Sequence, residues 1–595
     1  QIAFNKNANL QANNNINRNT PDLELTGGNN QVNATTGNIN IQSNSASSAL
    51  LVTMGAGSQL TANATTKGNG FVNFNPTGAG DINVVGGPAN GLISSGNDAT
   101  YQGGTVAVNV NQIIGCNDSV GNAITTASIT TAKGDLQVGP FTSSGTTAFT
   151  ANGAGASILT CGDIDSGAGN LTLQAGTGAG ANVKLTNNVT STGTLTINSG
   201  TDPADFVSIG AGNIVSGGIT NVNTPQLTAA ANATLKSTTG DLTVQSNAVS
   251  GILGVTLGSG STLLATTGNV GFNTTTAGAI TMTGGLGTIN AGAVGGLVTL
   301  NGGKNAVDVN VNNIIGAVTG SGTTYSVAVN SGDLNVAATT GSTSVTLKTT
   351  DPAGNVDLQA NVTSGGVLNV TSGTSGKVTV EDTVTAKGTV TTVTTPHLVV
   401  NGTGKLESTT GDLQISSNGT GNALTVDLNG PTSTLVSDTG NVNFNKPGAA
   451  TEGAITVTGG PTNGVITANG GLGEAIFNGG LSNKVDVKVN QINACVDGTG
   501  TPFTVAVGQA SILGDLRVGA ITSNGDLSFT SPSKLFVCDT LTSNNGSITL
   551  TSGNTSQIAF NKNANLQANN NINLNTPDLE LTAGNNQVNA TTANT

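Results

Sequence analysis

Hydrophobic and polar residues alternate with a period of two in short runs along the chain, and the three clearest runs are variants of one another. In VAVNVNQIIGC (106–116), Val106, Val108 and Val110 share one face and Asn109 takes the other. VDVNVNNIIGA (307–317) and VDVKVNQINAC (485–495) repeat the pattern, setting Val307, Val309 and Val311, then Val485, Val487 and Val489, against Asn310 and Lys488. Alternate side chains line opposite faces of a strand, so each run predicts a strand with one buried face. Gly-Gly, Asn-Gly, Ser-Gly and Thr-Gly steps separate the runs and supply the positive φ of tight corners. No stretch holds a 3.6-residue period between caps, so essentially no helix is expected.

The runs belong to a larger repeat. Residues 1–39 return at 557–595, a period of 556, with changes only at Arg18/Leu574, Gly27/Ala583, Gly37/Ala593 and Ile39/Thr595. Inside that period TTGNINIQSN (35–44), TTGDLTVQSN (238–247) and TTGDLQISSN (409–418) mark three diverged sub-repeats, about 35–237, 238–408 and 409–590. Thr-Pro steps at Pro21, Pro225, Pro396 and Pro577 keep the same order, as do the Phe-Asn steps Phe74-Asn75, Phe272-Asn273 and Phe444-Asn445. A finer echo, GDLTV (240–244) to GNVGF (268–272) and GDLQI (411–415) to GNVNF (440–444), leaves room for three short strands per step. Such spacing is that of stacked coils.

The expected fold is therefore all-β: a long parallel β-solenoid with three short strands per coil, running as one continuous body over 1–595. Coils of roughly 20–30 residues stacked about 4.8 Å apart give a rod on the order of 100–140 Å. Phe74, Phe272 and Phe444 are expected in the core, with Asn75, Asn273 and Asn445 turning outward at corners. Asn side chains at corners are expected to form ladders from coil to coil. Val108, Val110, Val309, Val311, Val487 and Val489 complete the repeated core set. A string of immunoglobulin-like sandwiches is the competing architecture, but absent Trp and the short echo oppose it.

Composition narrows the function. Charged residues are 8% and aromatics 3%, against a usual charged share of about 25%, while hydrophobic residues reach 35%. A thin, long core fits this balance better than an enzyme-like globule or a disordered chain. The formal charge of −13 provides no basic footprint, so nucleic acid is not an expected partner. No apolar run approaches the roughly 20 residues of a membrane span, and Gln1 follows no signal peptide, so export and anchoring signals are expected outside these residues.

Candidate chemistry is sparse. Cys116 and Cys495 occupy equivalent places, as do Cys161 and Cys538, while the middle sub-repeat carries Ala317 and no cysteine. Joint presence or absence predicts two disulfides, Cys116–Cys161 and Cys495–Cys538, and hence an oxidising, extracellular setting. Four buried thiols are the alternative. No metal site is expected, since cysteine and histidine lack the spacing. His397, alone of its kind, falls where sister frames carry Asp22, Gln226 and Asp578, and reads as a solvated strand end. The carboxylate pairs Asp163/Asp165, Asp22/Glu24, Asp578/Glu580 and Glu381/Asp382 could bind a cation or serve glycosidic chemistry, but no basic cluster accompanies them. Short Thr-x-Thr steps such as Thr389-Val390-Thr391 do not recur at coil spacing, which argues against an ice-binding face. No catalytic residue and no cofactor are expected.

The TTG[N/D] blocks and the Gly/Asn/Thr-rich strand–turn texture resemble the β-solenoid stalks of bacterial surface proteins, the filamentous haemagglutinin-like exoproteins and autotransporter passengers. The resemblance implies a right-handed solenoid exported to the cell surface. It carries no functional residue across, and the 556-residue period departs from that family's shorter coils. The expectation is a non-enzymatic tandem-repeat fibre, filament or stalk whose partners are further copies of itself. A glycan- or host-binding adhesin is the alternative, and a β-helix polysaccharide enzyme a remote one.

Overall fold

The computed structural model describes all residues except 67, 122–123, 293, 389, 420, 446–451, 513, 582–583 and 593–595. The changes at Ala583, Ala593 and Thr595, and the step beginning at Thr389, thus lie outside the described residues. The chain divides into two compact units, Gln1–Gly303 and Lys304–Thr595. Both are parallel β-solenoids, about 25 turns in all, and the 3-10 turn Asn469–Gly471 is the one helical element among the described residues.

In the first unit each strand mostly pairs with the third strand after it, so three strands complete a coil. Ile2–Asn5 pairs in parallel with Asp22–Thr26, that with Leu50–Met54, and that with Ile82–Val85. In the second unit Val485–Val489 lies on Ile455–Thr458 and carries Phe503–Val507. Coil length is not fixed: equivalent corners are 23 residues apart from Asn15 to Asn38 but 33 from Asn38 to Phe71. Extra residues enter at corners, where they leave the strand register untouched.

The core is built from the alternating residues. Val106 and Val108 lie over Ile82 and Val84, and Val108 and Val110 lie under Ile129 and Thr131. In the second unit Val309 and Val311 face Val327 and Val329, while Val487 and Val489 face Val505 and Val507. All of the valines named in the repeated runs are buried, each worth about 1.5–3 kcal/mol relative to exposure. Burial depends on stacking, as the duplicated sequence shows. Leu23 and Leu25 lie beneath Leu50–Met54 and are 1% and 0% exposed, whereas the same residues of the second copy, Leu579 and Leu581, are 44% and 55% exposed.

The three Phe-Asn phenylalanines are fully buried, as expected. Phe74 stacks on Tyr101 (centroids 5.3 Å apart, planes within 3°), Phe444 stacks on Phe477 (4.5 Å, 7°), and Phe272 faces Leu300. The asparagines correct the expectation. Asn75, Asn273 and Asn445 point inward and are completely buried. Their φ values of 49°, 53° and 53° place them in the left-handed region, which asparagine tolerates and which swings the side chain beneath the corner. Oδ1 accepts the backbone N–H of Ser43, Ser246 and Ser417 at 2.9, 2.9 and 3.1 Å. Nδ2 donates to carbonyls across the corner: Gly80 at 3.3 Å, Gly251 and Gly278 at 3.1 and 3.3 Å, and Gly453 at 3.5 Å. A chain leaving a strand strands its backbone polar groups in the interior, and this amide satisfies them.

The TTG[N/D] blocks use a second device. Oδ1 of Asn38 accepts the N–H of Phe71 one coil on, Asp241 that of Asn269, and Asp412 that of Asn441. Asn269 and Asn441 then accept Leu297 and Glu474. Since Oδ1 does the accepting, Asn and Asp interchange there. On outward faces amides form ladders: Asn17, Asn40 and Asn73 link at 2.6 and 2.7 Å. Gln174, Asn198, Asn223 and Gln245 link at 2.7, 2.6 and 2.8 Å. In the second unit Asn401 meets Asn429 and Asn524 meets Asn544.

Candidate functional site

Chemistry-bearing groups gather at two cysteine stations, one in each unit, built on the same plan. Cys116 faces Gln137 in the next coil, and Gln137 faces Leu159 in the coil after, two residues before Cys161. Cys495 faces Arg517, and Arg517 faces Phe536, two residues before Cys538. A cysteine pair therefore reaches diagonally across an intervening coil. That coil carries Gly139 or Gly519 at the crossing. A Cβ on Gly139 would lie 1.6 Å from Asp118 Oδ1 and 2.4 Å from Cys116 Sγ; on Gly519, 1.9 Å from Asp497 Oδ1 and 2.9 Å from Cys495 Sγ.

The middle sub-repeat supplies the comparison. There Ala317 faces Asn335 and Asn335 faces Asp357, two residues before Gln359. With no cysteines to pass, the crossing position is Ala337. The three segments read GDLQVGP, GDLNVAA and GDLRVGA. This glycine is the signal that sequence reading missed.

Cys116 and Cys161 form the expected disulfide, with Cα atoms 6.4 Å apart and a sequence separation of 45. Cys495 and Cys538 do not: they are half-buried thiols. The neighbours of the two pairs differ. Cys495 Sγ donates to Asp497 Oδ1 at 4.0 Å and Cys538 Sγ to the Phe536 carbonyl at 3.9 Å; the Cys495 thiol, and the charge of Arg517 where the first station has neutral Gln137, act on Cys538. Together they hold the Cys538 thiol below its ordinary value, while the Cys538 sulfur, burial and the Asp497 charge push Cys495 up. The Arg517 guanidinium lies over the Phe536 ring, 5.6 Å from its centroid.

Each station also carries an acidic pair. Asp118 is pushed up to about 7 by burial and by the neighbouring Asp98. Asp497 is pushed up to about 7 by burial and by Glu474. Asp98, Cys116 and Asp118 are the one group among the described residues close enough to hold a metal ion, their ligand atoms lying within 4.8 Å. Cys116 is committed to the disulfide, so only two carboxylates remain, one of them protonated near neutrality, a poor donor set.

The acidic pairs give a pH prediction. Both aspartates hold their proton to higher pH when folded than unfolded. Their contribution is fully present below the ordinary carboxylate range and is lost as pH rises through about 7. Discounted for partial exposure, each contributes on the order of 1–2 kcal/mol. The melting temperature is expected to fall between about pH 5 and about pH 8, and Asp118→Asn with Asp497→Asn to flatten the fall. Calorimetry over that range checks it; a rise in the wild-type chain would contradict the assignment.

The other sequence candidates do not converge. His397 is half-buried at a strand start and paired with Asp427 at 2.7 Å, a fuller engagement than the expected solvated end. Asp163 Oδ1 accepts the N–H of Asn188, and Asp165 Oδ1 that of Gly167, so both stabilise corners. Glu381 accepts from Asn401, and Asp382 from the N–H of Thr383. Glu580 meets Gln557 and Lys534, and Asp22 lies beside Glu24 on one half-buried strand face. No protein family, curated protein or solved structure matches this chain. What stands from the resemblance is the coarser statement, a parallel β-solenoid. Among the described residues no helix is long and apolar enough to cross a membrane.

Proposed function

We propose that this chain is a non-enzymatic structural protein of the cell exterior, a tandem-repeat β-solenoid of the bacterial surface-stalk kind that forms a fibre, filament or stalk with copies of itself. The observation that carries this reading is the duplicated segment. Strands Asn9–Ala12, Ile16–Asn19 and Gln31–Ala34 recur as Asn565–Ala568, Ile572–Asn575 and Gln587–Ala590, at the sequence period of 556. A surface that recurs with its strands in place offers the same contact at every period, and a contact that can form once can then form along an array. The Cys116–Cys161 disulfide is compatible with an oxidising exterior.

A glycan-binding adhesin is less well supported, because sugar-stacking platforms need exposed rings. Tyr101 and Tyr325 are completely buried, and none of the 13 phenylalanines is exposed. Carboxylates engaged with corner N–H groups are likewise poor candidates for glycosidic chemistry.

Electron microscopy and fibre diffraction of the purified chain test the proposal. Continuous filaments with a spacing of about 4.8 Å along the axis are expected. Discrete particles that never associate but bind carbohydrate on a glycan array would overturn it in favour of the adhesin.

A further inference from the structure

Cys495 and Cys538 repeat the placement of Cys116 and Cys161, with a glycine clearing the crossing in both stations, yet one pair is bonded and the other is not. The residue between them differs in charge: Gln137 in the first, Arg517 in the second. Arg517 is held over Phe536 with Lys534 on the same ring, both 5.6 Å from its centroid. Its charge favours negative charge on Cys538, against the opposing charge of Asp515. Cys538 is partly open to solvent. Cys495 lies across the crossing from it, as Cys116 does from Cys161, and donates to Asp497 Oδ1 at 4.0 Å. A half-buried sulfur beside a cation, with a second thiol across the same crossing, is the arrangement of a thiol that reacts first and one that resolves.

We propose that Cys538 is an S-thiolation site for small-molecule disulfides and that Cys495 resolves the adduct, making this station a reversible counterpart of the permanent Cys116–Cys161 bond. The Cys538 thiolate attacks one sulfur of the small disulfide; that S–S bond breaks, and one small thiolate leaves and takes a proton from water. Cys495 then gives its proton to solvent and attacks the Cys538 sulfur, expelling the second small thiolate. Two protein thiols are oxidised to one disulfide, and one small disulfide is reduced to two thiols. Gly519 keeps the diagonal path open, as Gly139 does where the bond is already formed.

The full chain, treated with glutathione disulfide and read by intact mass and native thiol titration, tests this. The wild-type protein is expected to lose both titratable thiols and retain no adduct. Cys495→Ser should trap one glutathione, mapped to Cys538, whereas Cys538→Ser should stay unmodified over the same time. Arg517→Gln should slow thiolation by about tenfold at neutral pH, through loss of thiolate. Circular dichroism and an intact Cys116–Cys161 bond control for folding. If the pair is isolated already oxidised, the same buffer run reductively should open Cys495–Cys538 before Cys116–Cys161. Equal reactivity of the two serine variants, an Arg517→Gln chain as fast as wild type, or simultaneous opening of both disulfides would overturn the proposal.

Discussion

Asn273→Ala is expected to destabilise the first unit by about 3–5 kcal/mol, far more than its single side chain suggests. The substitution removes the acceptor for the Ser246 N–H and the donor to the Gly251 and Gly278 carbonyls, all beneath a completely buried corner. An unsatisfied buried polar group costs about 1–3 kcal/mol, and alanine at a φ of 53° adds strain that asparagine largely avoids. Asn273→Gly relieves the backbone but leaves the same groups orphaned. Asn273→Asp keeps the acceptor and loses the donor, so it should fall between. Asn223→Ala, which removes an outward ladder rung, should cost less than about 1 kcal/mol, since the freed partners reach water. A long repeat array does not unfold in a single step, so the measurement is local: hydrogen exchange at the Ser246 amide, compared across these variants. Equal protection in Asn273→Ala and Asn223→Ala would show that the inward amide is dispensable.

Gly139→Ala is expected to break the first cysteine station and cost about 4 kcal/mol. The added carbon would overlap Asp118 Oδ1 at 1.6 Å and Cys116 Sγ at 2.4 Å, and the sulfur is tethered by its bond to Cys161. Loss of the disulfide releases a loop spanning 45 residues, which chain-entropy reasoning values at about 4 kcal/mol. Two new titratable thiols and a lower melting temperature should appear together. Ala337→Gly at the cysteine-free station is the control, costing only the backbone freedom that glycine regains, about 0.5–1 kcal/mol. Should Gly139→Ala keep its disulfide and its melting temperature, the crossing glycine has no steric role.

Much of the fold was legible because two periods coincide in the chain. The two-residue alternation of Val106, Val108 and Val110 is also the alternation between core and solvent in a strand, so the buried set followed from spacing alone. Phe74, Phe272 and Phe444 were legible because large side chains recurring in aligned frames have few places in a thin core. The inward turn of Asn75, Asn273 and Asn445 was not, because it depends on the sign of φ at one residue, and asparagine adopts either sign. The state of the second cysteine pair was hidden for another reason. Cys495 and Cys538 look like Cys116 and Cys161 in sequence. Where the two stations differ, Arg517 against Gln137, the residue sits in a different coil and becomes their neighbour only once the register is known. The glycine in GDLQVGP and GDLRVGA, set against alanine in GDLNVAA, was visible but had no meaning before the crossing was seen.

The corner asparagines also bear on how this material wears. Side-chain amides hydrolyse slowly to carboxylates, and a long-lived protein accumulates that damage. At the TTG[N/D] corners the change is harmless to the ladder, because Asp241 and Asp412 already hold with a carboxylate oxygen the contact that Asn38 and Asn269 hold with an amide oxygen. At the inward corners it is not, since Asn273 needs its nitrogen as well as its oxygen. Those asparagines are sealed from water, and Asn75 and Asn273 are followed by Pro76 and Thr274 rather than by the glycine that speeds the reaction. Exchange of amide for carboxylate is thus accommodated at the TTG[N/D] corners, whereas at the inward corners it would remove the Nδ2 bonds that hold the turn.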